Sequence, residues 1–186
     1  MSSDTVRWGA LGAMLAGVAF VVLSFLSLVI SGASPYFDAG FGVAWLFAIP
    51  GVLGLHGAQK ERYGLLGRVG SVALVAGVIA NTIGLVPLAA GNGSLLWLSF
   101  PVGAVFLLAG FVVLGIAILR AGVLPRWCGV ALIIALPLTA VAGGVLGAER
   151  DADSPGVLVM GLVWLALGYA LWARTGATSE RPSRVS

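Results

Sequence analysis

Charge is scarce in this chain: only 9% of its 186 residues are Asp, Glu, Lys or Arg, against about a quarter in an ordinary soluble domain. There is one cysteine, Cys128, so no intrachain disulfide can form. The single histidine, His56, leaves no cluster from which a conventional zinc site could be built. The only lysine, Lys60, belongs to a short basic turn, which rules out a retinal Schiff base inside a helix. Cationic residues are too diffuse to offer a footprint for nucleic acid. Nine arginines against one lysine suggest a GC-rich bacterial genome.

The chain is rich instead in apolar residues, which make up 60% of it, and its mean hydropathy is +1.09. Six apolar runs stand out, at about 8–31, 41–58, 69–90, 95–119, 127–148 and 156–173. Each is long enough to cross a hydrocarbon core of about 30 Å as a helix whose backbone groups bond internally. The expected fold is therefore all-α: one bundle of six transmembrane helices over residues 1–174, then a polar, disordered tail at 175–186. The first run is 24 residues long. Signal-peptide cores run to roughly 7–15, so it is read as a retained span. Polar connections are expected at Ser34-Pro35-Tyr36-Phe37-Asp38, Gly91-Asn92-Gly93-Ser94, Gly122-Val123-Leu124-Pro125-Arg126 and Glu149 to Pro155.

Arg7, Lys60, Arg62, Arg68, Arg120, Arg126, Arg174, Arg181 and Arg184 all fall on one side of this layout, and only Arg150 on the other. The positive-inside rule then places both termini in the cytoplasm and the chain in the cell membrane, the inner membrane of a bacterium. Trp8, Trp127 and Trp172 are expected at the inner interface, and Trp45 and Trp97 at the outer one. Trp164, near the middle of the sixth run, is read as a packing residue.

Two internal repeats compete. Leu53-Gly54, Leu114-Gly115 and Leu167-Gly168 each precede a basic residue, as in a parallel repeat of helix pairs. Alternatively, Pro50-Gly51 and Pro137 interrupt the second and fifth runs at matching places in two inverted halves, a pointer to a midplane transport site. They are the candidate helix breaks, although proline is tolerated in membrane helices generally.

No Asp, Glu, Lys or Arg lies inside a span, which argues against buried-carboxylate proton coupling. Uncharged polar residues remain. Ser24, Ser27 and Ser31 share one face of the first span; Asn81 and Thr82 lie near the centre of the third, Thr139 just beyond the centre of the fifth, and Ser99 near the outer end of the fourth. Ser24, Ser27, Asn81, Thr82 and Thr139 are the candidate ligand-binding set, a polar vestibule opening outward. The competing structural reading has the hydroxyls bonding back to their own helices and Asn81 gluing two helices together. Lys60, Arg62, Arg68, Arg120 and Arg126 are expected at anionic lipid headgroups. His56 is read as an interfacial histidine, and Glu149, Asp151 and Asp153 as solvated loop carboxylates without cation-loop spacing. Gly9, Ala13 and Gly17 repeat at four-residue spacing, as helix contacts do.

The turns Gly64-Leu65-Leu66-Gly67-Arg68 and Leu124-Pro125-Arg126-Trp127 resemble those of uncharacterised six-span membrane proteins of actinobacteria and related bacteria. The resemblance implies the six-span layout and no activity. The functional expectation is a non-enzymatic membrane protein that binds a lipid-like or small neutral molecule, or supports a membrane complex. It needs no cofactor and no metal, and its partners are membrane lipids, a second copy or another membrane protein. The alternatives are a small transporter working as a homodimer, and a membrane enzyme using His56 or the outer-loop carboxylates.

Overall fold

The computed structural model describes residues 3–30, 34–62, 64–147 and 154–179. Among these the chain is helical, in six long segments: α1 (Ser3–Val29), α2 (Ser34–Gln59), α3 (Gly64–Leu85), α4 (Ala104–Ala121), α5 (Arg126–Gly147) and α6 (Ser154–Ser179). A 3-10 turn, Val86–Ala90, extends α3, and a π turn, Leu98–Gly103, precedes α4. All six segments are long and apolar enough to cross a membrane.

The ends of the helices carry local signals. Gly122 adopts the left-handed conformation (φ 61°) just past α4, and its N–H returns to the Ile118 carbonyl at 3.2 Å, a cap that a β-carbon would strain. Pro125 follows and keeps α4 from continuing. Gly91 (φ 72°) closes the 3-10 turn in the same way, donating to the Leu88 carbonyl.

Consecutive helices pack antiparallel, and α6 closes the ring against α1. The close approaches give the register. Gly9 and Gly12 of α1 lie against Gly54 and Pro50 of α2, Gly17 against Gly161, Gly70 against Leu114, Gly77 against Leu107, and Gly115 against Gly129. In lipid there is little hydrophobic drive to bring helices together, so small residues that let backbones approach supply the dispersion contact instead. The alternation brings the starts of α1, α3 and α5 and the ends of α2, α4 and α6 to one end of the bundle. Arg7, Lys60, Arg62, Arg68, Arg120, Arg126 and Arg174 make this the basic end.

Mid-depth, the ring is filled by aromatic side chains. Phe20 of α1 meets Trp45 of α2 edge-on at 5.1 Å, Trp45 meets Phe111 of α4 at 6.3 Å, and Phe111 meets Trp164 of α6 at 6.2 Å. The outward faces are apolar and exposed, as at Phe25, Val72, Ile79, Val105, Val141 and Leu162, which suits a hydrocarbon solvent.

Several expectations are corrected. Ser34 to Asp38 is not a connection but the first turn of α2: Pro35 stands where a helix needs no N–H from its residue. Trp45 is not an interfacial belt residue; it is 7% exposed and held between Phe20 and Phe111. The α-helical part of the third run stops at Leu85, and the fourth begins as a π turn around an extended Phe100 (φ −127°, ψ 117°), because Pro101 supplies no N–H to the ladder. Residues 175–179, expected in the tail, continue α6 to Ser179. The rest of that tail, Ser31 and the Glu149–Asp153 carboxylates lie outside the described residues.

Candidate functional site

Beyond the aromatic layer, toward the end away from the basic one, buried polar atoms stand on α1, α3 and α5, which alternate round the ring. Ser24 lies one turn past Phe20 on the same face of α1, is 1% exposed, and its Oγ has no hydrogen-bond partner. Asn81 lies one turn past Gly77 of α3, which itself packs on Leu107, one turn from Phe111. Asn81 is 6% exposed, and its Oδ1 is buried without a partner. Thr139 continues the buried stripe Cys128, Leu132, Ala135 of α5, and its Oγ1 is buried and unpartnered too. Its backbone lies against Gly156, eight residues before Trp164 on α6, which puts it about 12 Å beyond the tryptophan along the axis. Trp164 itself is fully buried, and its Nε1 donates to nothing.

The five candidate ligand residues thus divide. Ser27 donates to the Ser24 carbonyl of its own helix at 2.9 Å, and Thr82 donates to the Gly42 carbonyl of α2 at 2.8 Å. Both are satisfied structural hydroxyls. Ser24, Asn81 and Thr139 retain unused hydrogen-bonding capacity.

Ser99, seen in the sequence but not placed in the candidate set, is 0% exposed with an unpartnered Oγ. It lies in the π turn, against Gly84 of α3. Among the described residues Trp164 Nε1 and Gln59 Oε1 are also buried without partners, and neither was anticipated. The signal for Ser99 was its place two residues before Pro101; for Gln59 there was none, because it sits in a polar string that reads as solvated.

At the basic end, His56 Nδ1 is 3.5 Å from Ser71 Oγ of α3, the outer limit of a hydrogen bond. Gln59 Nε2 donates back to the Leu55 carbonyl at 3.3 Å. Lys60, Arg62, Arg68, Arg120 and Arg126 are all exposed here. Arg7 rests over the Trp172 ring at 5.4 Å.

The helix breaks expected at Pro50-Gly51 and Pro137 are not interruptions: α2 and α5 run helical through them, with both prolines turned to the exposed side. Gly51 instead makes room, since a β-carbon there would stand 3.0 Å from the Trp164 ring and from Ala13 Cβ. Of the repeat signals, Gly54 packs backward onto α1 whereas Gly115 packs forward onto α5, so the two are not in equivalent places.

Chemically, the far half of the bundle offers uncharged hydrogen-bonding atoms beside an aromatic floor. Among the described residues no three His, Cys, Asp or Glu side chains converge. Searches against protein-family models, curated proteins and solved structures find no match, so the site rests on its own geometry.

Proposed function

We propose that this chain is a multi-pass protein of the cell membrane, both termini cytoplasmic, that binds a small neutral or lipid-like molecule without transforming it. The observation that carries this reading is the set of buried, unpartnered atoms, Ser24 Oγ, Asn81 Oδ1 and Thr139 Oγ1, in one half of the ring. Each such atom costs about 1–3 kcal/mol when left unmade. A ligand bearing both a donor and an acceptor recovers that cost, and one without charge suits a lining without counter-ions. The excess of basic residues at the end where α1 starts and α6 finishes supports the orientation.

A carrier is the second reading. What favours it is the extended Phe100 where α4 begins, since irregular backbone at membrane depth accompanies transport sites.

Native mass spectrometry of the protein in mild detergent tests the first reading. The expected result is a stoichiometric extra mass that disappears on Asn81→Leu. A bare protein after reconstitution with total membrane lipid, at every protein-to-lipid ratio, would sink it.

A further inference from the structure

The contact between α3 and the π turn gathers more oxygen than helix packing needs. Asn81 Oδ1 and Ser99 Oγ are both buried without partners. Gly84 faces Ser99, and a β-carbon on it would stand 3.1 Å from the Leu95 carbonyl oxygen. Gly103 faces Asn81, and a β-carbon on it would stand 2.9 Å from the Leu98 oxygen and 3.4 Å from the Gly77 oxygen. Leu95 already accepts from the Leu98 N–H, but each carbonyl retains a second lone pair. Phe100, with extended torsions, unwinds the helix beside this cluster.

We propose that Asn81 Oδ1 and Ser99 Oγ, with neighbouring backbone carbonyls of the unwound turn, bind a dehydrated monovalent alkali cation between α3 and α4. Hard cations take oxygen ligands, and unwound membrane helices offer carbonyls for them. The charge is single because the oxygens named here are all neutral and would not offset the dehydration of a divalent ion. Glycine at positions 84 and 103 lets the backbones of α3 and this turn meet directly, which brings the Leu95, Leu98 and Gly77 carbonyls to the same contact. The site does not depend on the neutral-ligand reading: Asn81 belongs to both, Ser99 to this one alone.

Thermal unfolding in mild detergent, in NaCl, KCl or N-methylglucamine chloride at equal ionic strength, tests it. The expected result is a saturable, cation-selective rise in Tm, about 3–6 °C at tenfold excess over the half-saturating concentration. Ser99→Ala should weaken it and Asn81→Leu abolish it, while Asn81→Asp, adding a charge, should lower the half-saturating concentration. An equal response to all three salts, no response, or a selective rise that survives both Ser99→Ala and Asn81→Leu would overturn the proposal and leave water as the partner of these oxygens.

Discussion

Gly54 of α2 lies directly on Gly9 of α1, so that a β-carbon on Gly54 would stand 2.7 Å from the Gly9 Cα. Two backbones touch there with nothing between them. Overpacking typically costs about 1–3 kcal/mol when neighbours can shift, and here the neighbour is main chain. Gly54→Ala and Gly9→Ala should each lower unfolding free energy by at least that amount. Leu53→Ala, one position away and half exposed, should change it far less. Reversible unfolding in mixed micelles, followed by circular dichroism, measures all three.

The aromatic layer should behave as one unit. Phe111 is fully buried between Trp45 and Trp164, and Phe111→Ala is expected to cost about 3–5 kcal/mol. A double-mutant cycle replacing Phe20 and Trp45 by leucine should return a coupling of about 0.5–1.5 kcal/mol, because their rings meet edge-to-face at 73°. Brominated acyl chains offer a second check. They should quench Trp8, Trp97 and Trp127, which are exposed, and leave Trp45 and Trp164 bright.

That layer marks how far the sequence could be read. The six helices follow from apolar run length, which the bilayer converts directly into helix count. Trp45 shows the limit: tryptophan near a run's outer end usually anchors at an interface, but the choice between lipid and bundle depends on rotation about the helix axis. A helix that is apolar all round has no polar face to fix that rotation. Proline was similarly ambiguous. Pro50 and Pro101 look alike in sequence, yet α2 absorbs the first while the second accompanies the break at Phe100. The polar candidates were identifiable by type, but the Ser27 hydroxyl reaches a carbonyl of its own helix and the buried Ser24 hydroxyl reaches none, a difference of side-chain torsion and burial that the sequence does not carry.

The division of the polar set predicts opposite phenotypes for adjacent residues. Thr82→Val removes the donor to the Gly42 carbonyl and should cost about 0.6 kcal/mol, the usual size of such a bond between membrane helices. It should leave any bound ligand in place. Asn81→Leu removes an unpartnered buried oxygen, so the ligand-free protein should be no less stable while ligand retention falls. Native mass spectra and unfolding curves for the two variants separate these outcomes. Loss of ligand in Thr82→Val but not in Asn81→Leu would contradict the assignment.

Arg7 over Trp172 joins the ends of α1 and α6 at the basic surface. Exposed cation–π pairs contribute about 0.5–1 kcal/mol. Arg7→Gln should therefore destabilise the α1–α6 contact modestly, and Arg7→Lys should recover part of the loss. A shift in Trp172 emission, read in a variant where the other tryptophans are phenylalanine, reports the contact directly.

Pro50 and Gly51 provide the test of whether α2 bends during function. Pro50 is on the exposed side and touches Gly12, whereas Gly51 is buried against Trp164 and Ala13. If the pair serves packing, Pro50→Ala, which keeps the β-carbon and restores an N–H, should move stability by less than about 0.5 kcal/mol. Gly51→Val must then displace the indole and should cost about 1–3 kcal/mol. A carrier that used this proline as its hinge would respond in reverse, with Pro50→Ala stabilising one conformation and slowing flux in liposomes. The helix runs unbroken through Pro50, and the indole fills the space that Gly51 leaves. The expected outcome is therefore the first, with any hinge lying at Phe100, where the helix is already open.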